Sequence, residues 1–268
     1  MYGGIFGFSR IHYRRRHRHR QETRTVARST KQEALATRNR LLDAAEVLFQ
    51  AQGVSQTSLQ QIAQQAGATR GAIYWHFKDK ADLFNAMMER VKLPLEAAGQ
   101  AAGAAPGDPL GEITHRLVAA LNLMTSDAQV RRVLEVATHQ VEYTQEMASV
   151  RQRHLSVRNE CIHDFQKAFR LAARRQHLRL PVPASVAAQG MHALITGVIQ
   201  NWLLDPAAFD LVRTGRQAFE VYVAGLGFRI DDAARAGTAP VGAGAPSSGA
   251  ASDAAADAAT AAIAAVAS

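Results

Sequence analysis

The stretch SLQQIAQQAGATRGAIYWHF, residues 58–77, constrains the fold of this chain more than any other. Leu59, Ile62, Ala63 and Ala66 recur at helical spacing, and Gly67 ends the run. Thr57 stands as an N-cap with Gln60 three residues on, a capping-box pattern. Thr69 caps a second short helix, in which Ile73 and Phe77 are four apart and share a face. A longer helix through Leu41, Ala45, Leu48 and Phe49 comes first, with Gly53 as its stop. Two short helices joined by a tight turn, inside a three-helix unit, make a helix-turn-helix. Ala63 is small where the two must approach, and Gly67 can take a left-handed turn without a Cβ penalty.

If Ile73 and Phe77 are buried, the other side chains of the second helix point elsewhere. Arg70 sits at the N-terminal end, the part of this motif that reaches base edges in the major groove. Its planar fork can grip guanine O6 and N7. Thr69 offers a hydroxyl to phosphate and a methyl to thymine. Tyr74 and His76 can donate to phosphates. Gly71 allows close approach. Trp75 suits a core and a DNA face equally. Lys80 opens a fourth helix, capped by Asp79, where free N–H groups and a cation both favour a phosphate. The predicted DNA contacts are Thr57, Ser58, Thr69, Arg70, Gly71, Tyr74, Trp75, His76 and Lys80.

Charge alone does not make the case for DNA. The chain carries +8, but residues 1–25 hold seven Arg and one Glu, so +6 lies there and only +2 in the rest. Specific placement of charge, not a global field, must then do the binding. The stretch 1–30 shows no apolar periodicity and strong like-charge repulsion, which reads as disorder. It reads either as a phosphate-binding arm or as a misassigned start, the true one lying near Val26. Residues 233–268 are Ala-rich with Gly, Pro and Ser and few charges, a second disordered segment.

Between these ends no strand alternation occurs. The fourth helix is expected to run to about Leu93, with a break over 96–109. Further helices are expected near 110–125, 127–144, 146–177, 184–204 and 207–229. The fold class is all-α: a DNA-binding domain at 35–95, with the helix-turn-helix at 58–77, and a larger helical domain at 107–230. Cys161 is the one cysteine, so an intrachain disulfide is excluded. No apolar run reaches bilayer length, and MYGGIFGF is not a secretory signal.

TRNRLLDAAEVLFQAQGVSQTSLQQIAQQAGATRGAIYWHFKDKADLF, residues 37–84, resembles the DNA-binding domain of the TetR/AcrR family of repressors. TKQEALATR before it, GDPL at 107–110 and NWLLDPAAFDL at 201–211 resemble the AcrR-type repressors of multidrug efflux pumps. The resemblance spans about 26–230 and leaves out residues 1–25 and 233–268. It implies a cytoplasmic homodimer on double-stranded DNA at a palindromic operator, with no cofactor and no membrane contact. It also implies a C-terminal cavity for a small hydrophobic inducer, and dimerisation through the last two helices. In agreement, Val186, Gly190, Ala193, Leu194, Gly197 and Val198 are small or apolar, and Phe219, Tyr222, Val223 and Leu226 repeat at helical spacing.

A sensor pocket is mostly apolar with a few polar anchors. Candidates are His139 and Glu142, three apart on one predicted helix, then Cys161 and Phe165, and Trp202 as an aromatic wall. Enzymatic chemistry finds no support: Cys161 and His163 face different ways on a helix, and no Gly-rich phosphate loop follows a strand. HRHR at 17–20, two His among many Arg, is a poor metal site. Control of metabolic genes in place of an efflux pump is the nearest alternative. Unspecific DNA binding through the Arg-rich arm is the more distant one.

Overall fold

Helix termini follow residue chemistry closely. In the computed structural model, which describes residues 11–101 and 108–229, α1 spans Ile11–Gln52 and α2 Leu59–Gln65. Helix α3 spans Arg70–His76 and α4 Lys80–Ala101. Helix α1 stops where Gly53 takes φ +82°, a conformation a Cβ would strain. Helix α2 ends in a Schellman motif: the Gly67 N–H reaches Gln64 O at 3.1 Å and the Ala68 N–H reaches Ala63 O at 2.9 Å, with Gly67 at φ +61°. This turn sets the angle between α2 and α3.

The cap of α2 lies one residue beyond the expected one. Ser58, not Thr57, accepts from the Gln61 N–H at 3.2 Å, and Gln61 Oε1 accepts from the Ser58 N–H at 2.8 Å. Thr69 caps α3 through the Ala72 N–H at 3.1 Å. Asp79 caps α4 through the Asp82 N–H at 2.8 Å. The first three helices close over Leu41, Leu42, Ala45, Phe49, Ile62, Ile73 and Phe77, all essentially inaccessible.

The C-terminal domain holds α5, Pro109–Ser126; α6, Ala128–His139; α7, Ala148–Arg175; α8, Ala184–Leu204; and α9, Leu211–Gly225. A 3₁₀ turn, Gln145–Met147, precedes α7. Helix α5 is central, touching α4, α6, α7 and α9. Its Leu110, Ile113, Leu117, Ala120, Leu121 and Met124 are buried accordingly. No strand occurs among the described residues, so the fold class is all-α as the sequence implies.

Three departures have physical causes. Helix α1 begins at Ile11, inside the basic segment, where the sequence reading expects no regular structure. No Gly or Pro falls between Gly7 and Gly53, and straight-chain Arg, Gln and Glu lose little rotamer freedom in a helix. Helix α4 passes Leu93 and Pro94 to reach Ala101, held by buried Leu95 and by Ala-rich helix formers. Helix α6 stops at His139, and the Gln140 carbonyl accepts the Val54 N–H at 3.0 Å instead of continuing the predicted helix to 144. Residues 1–10 and the Ala-rich stretch 233–268 lie outside the described residues.

Candidate nucleic-acid interface

Helix α3 is divided cleanly. Ile73 and Phe77 are buried at 0% and 1% exposure, whereas Tyr74 and Trp75 are 51% and 73% exposed. Thr69, Arg70 and Gly71 are exposed with them. Trp75 is therefore not a core residue; its ring meets His76 edge-on at 4.6 Å between centroids. The Arg70 guanidinium stands 5.8 Å from the Tyr74 ring centroid, a cation–π distance. This contact extends the fork along the outer face of the helix. Thr69 keeps a hydroxyl proton to donate, because its oxygen only accepts in the cap.

The Arg38 guanidinium of α1 lies over the Phe77 ring at 5.1 Å. Burial first, and the Arg38 charge second, push the His76 pKa below the ordinary histidine value. His76 is then neutral at neutral pH and has one N–H to give. Arg38 brings a cation beside α3 that the sequence reading missed. A basic residue one turn before the first buried position of α1 was the available signal.

Gly71 has no internal reason to be glycine. A Cβ there would meet only Thr69 Oγ1, at 3.9 Å. Alanine would stabilise the helix by about 0.5–1 kcal/mol. The missing side chain leaves the outer surface of α3 flush.

Two predicted contacts belong elsewhere. Thr57 is 1% exposed; its hydroxyl donates to Gly53 O at 2.7 Å and accepts from Gln52 Nε2 at 3.0 Å. It braces the turn after α1. Lys80 is 8% exposed, and its Nζ donates to Val54 O at 3.0 Å and Ser55 O at 3.3 Å. Glu146 Oε2 lies 3.4 Å from the same nitrogen. The ammonium thus turns inward, onto carbonyls of the turn that follows α1, and is not aimed at a phosphate. Ser58 is exposed, but its hydroxyl is engaged with Gln61 Oε1 at 2.8 Å.

The predicted sensor residues do not form one site. Glu142 follows the end of α6 and is exposed, so it shares no helix face with His139. His139 Nε2 pairs with Gln200 O at 3.2 Å. Cys161 and Phe165 are buried in α7, and burial pushes the Cys161 thiol pKa up, so it stays a thiol. Phe165 stacks on Phe169 with centroids 6.2 Å apart. Trp202 is 4% exposed, a core residue of α8. A cleft of about 470 Å³ beside the start of α7 is lined by Tyr143, Gln145, Arg151, Gln152 and Leu155 among others, and by none of the five.

Polar anchors inside this domain occur elsewhere, on consecutive turns of α8. His192 Nε2 and Thr196 Oγ1 are buried without a hydrogen-bond partner in the protein. Burial, then the nearby Arg158 and His154 charges, hold His192 below the ordinary histidine pKa. Periodicity alone could not have marked them, because both fall on the apolar face of α8.

Comparison with known proteins gives the family. A family model described as bacterial regulatory proteins, tetR family, matches residues 41–87. Another, the C-terminal region of MAATS-type transcriptional repressors, matches residues 108–228. The HTH-type transcriptional regulator AcrR of Shigella flexneri is 40% identical over 197 residues, covering 71% of this chain and 89% of that protein. NalD, the secondary repressor of the MexAB-OprM multidrug efflux pump in Pseudomonas aeruginosa, superposes with a TM-score of 0.64 at 34% identity, covering 73% and 98% of the two chains. The triclosan complex of SmeT, repressor of the Stenotrophomonas maltophilia pump SmeDEF, has a TM-score of 0.60 at 28% identity, covering 80% of this chain and 100% of that one.

Proposed function

From the premise that this chain belongs to the tetR family of bacterial regulatory proteins, as a transcriptional repressor of the AcrR type, we propose that it binds a palindromic operator as a homodimer and releases it when a hydrophobic drug-like molecule enters the C-terminal domain. Its target is an operon for a multidrug efflux pump, as for the proteins it resembles. The observation that carries this reading is the outer face of α3. Arg70, Tyr74 and Trp75 are solvent-exposed, against buried Ile73 and Phe77, and Gly71 leaves room that nothing inside the protein uses.

Arg70 reads a guanine in the major groove. Thr69, Tyr74, Trp75 and the neutral His76 hold the adjoining backbone, with Arg38 adding charge at the edge. A two-fold dimer presents two such helices about 34–36 Å apart, one turn of the duplex. The protein acts in the cytoplasm, where its operator is; no described helix is long and apolar enough to cross a membrane.

Release is a population shift. The ligand binds better to a conformation in which α4 has swung and the two α3 helices no longer match successive grooves. Helix α4 is tied to α7 by Arg153, which pairs with Glu89 and donates to Asn85 O at 3.3 Å. His192 and Thr196 are the polar anchors for the ligand, in place of His139 and Glu142.

The test is selection from randomised duplexes. The wild-type protein is expected to enrich a palindrome. Arg70→Ala is expected to lose about 1–3 kcal/mol and to relax one base position in each half-site. An unchanged base preference in that variant would overturn the assignment of Arg70. Lys80→Met gives a contrasting expectation. Removing the ammonium from the Val54 and Ser55 carbonyls, of which Val54 O keeps the Thr57 N–H at 3.3 Å, costs about 1–3 kcal/mol of folding stability. The slope of log affinity against log salt stays unchanged, because no phosphate contact is removed. Melting curves and a salt titration read the two effects, and a shallower slope would return Lys80 to the DNA face.

A further inference from the structure

Glu46 of α1 is 1% exposed, yet it ends in a carboxylate. Three side chains from two other helices converge on it. Gln129 Nε2 of α6 donates to Oε1 at 3.0 Å and to Oε2 at 3.3 Å. Arg90 of α4 donates through a guanidinium nitrogen to Oε1 at 2.9 Å, while its other terminal nitrogen is 2.7 Å from Asp43 Oδ1. Arg132 of α6 stands 3.7 Å from Oε2. Burial pushes the Glu46 carboxyl pKa up, against the pull of the Gln129 hydrogen bond and of Arg90.

A buried ion pair is a poor source of stability, since apolar residues of similar volume often do as well or better. What such a cluster does supply is a fixed geometry between the parts it joins. Here the parts are the DNA-binding unit and the sensor domain. The cluster is the first rung of a seam along α1. One turn on, Gln50 Nε2 donates to Glu135 Oε2 at 2.9 Å; a further turn on, the Val54 N–H donates to Gln140 O at 3.0 Å. On its other side α6 buries Val133, Leu134, Val136 and Ala137 in the sensor core. Helix α1 in turn packs on α2 and α3.

We propose that Glu46 is a positioning residue: gripped by Arg90, Gln129 and Arg132, its carboxylate fixes the helix-turn-helix relative to α6 and carries displacements of α6 to α3. This rests on the operator-binding reading for its consequence, though not for its geometry. Side chains on α6 then govern DNA affinity without touching DNA, and they do so through Glu46.

A double-mutant cycle on the full-length protein tests it. Arg132→Gln is expected to weaken operator binding roughly fivefold or more, the lower end of ordinary allosteric couplings. Glu46→Gln, isosteric and uncharged, is expected to weaken it as well. Adding Arg132→Gln to Glu46→Gln should then change nothing further. Glu46→Asp, which keeps the charge, should restore part of the affinity. Effects that multiply independently, or an Arg132→Gln variant with wild-type affinity, would overturn the proposal.

Amide hydrogen exchange separates this from the reading it rests on. Glu46→Gln should raise exchange both in residues 41–52 of α1 and throughout α6, and leave α9 alone. Loss of protection confined to α1 would overturn the proposal even if operator binding is real. If the wild-type protein shows no operator, the exchange pattern still decides whether Glu46 clamps the two helices. Should Glu46→Gln not fold, Gln129→Met and Arg132→Gln probe the same seam from α6.

Discussion

Val221→Asp is expected to turn the protein into monomers and to weaken operator binding by about a hundredfold or more, a loss of about 3 kcal/mol. Val221 is 73% exposed on α9, and Val186 on α8 is 55% exposed. A groove of about 420 Å³ runs between the two helices, lined by Leu194, Ala218, Val221 and Tyr222 with Thr214 and Gln217. Such a face gains from covering, at roughly 1.5 kcal/mol or more for each fully buried Val. In a two-fold dimer the same patch meets itself, so one substitution places two carboxylates in an apolar seam. Desolvating each costs several kcal/mol with no partner to offset it. The protomer itself should keep its stability within about 0.5 kcal/mol, because an exposed side chain is changed. Light scattering across a concentration series reads the assembly, and a gel shift reads the affinity. A variant that stays dimeric at micromolar concentration would mean that another face joins the subunits.

Phe49→Ala is expected to lower folding stability by about 3–5 kcal/mol, a large share of the 5–15 kcal/mol a domain has in total. Phe49 is fully buried, and its ring centroid lies 6.2 Å from that of Phe84 on α4. Helices α2 and α3 have seven residues each, too few to persist without the core that α1 supplies. Cavity formation therefore loosens the unit that presents Arg70. Where the variant remains folded, at low temperature, its operator preference should be unchanged, since Phe49 reaches no outer surface. Chemical denaturation gives the cost. A value below about 1 kcal/mol would contradict the packing of α1 against α4.

Much of the DNA-binding unit was legible because its signals are local. Apolar spacing placed Ile73 and Phe77 on the buried face. Gly67 and Thr69 marked the turn and the cap through backbone chemistry that operates within a few residues. The cap of α2 came out one residue off, since Thr57 and Ser58 are both cap formers and Gln60 and Gln61 are both amides. Trp75 was undecided because a large amphipathic ring suits a core and a groove alike.

Tertiary apposition was not legible. Lys80 looked like a phosphate ligand at a helix start; only folding brings Val54 and Ser55, some 25 residues earlier, under its ammonium. His139 and Glu142 depended on a helix that ends between them. His192 and Thr196 are ordinary members of an apolar face until α7 and α8 close around them. The junction at Glu46 joins residues more than 80 positions apart, beyond the reach of any periodicity. The basic stretch was read from charge repulsion, while α1 begins at Ile11, in a stretch with no Gly or Pro between Gly7 and Gly53.

The most direct measurement is a gel shift with the DNA flanking the protein's own gene, in excess unspecific competitor, comparing wild type with Arg70→Ala. A discrete complex that survives competitor with the wild type and fails with the variant is the expected result. It would establish sequence-specific binding through the outer face of α3. A complex removed equally by competitor for both proteins would contradict the account, and would assign the binding to charge alone.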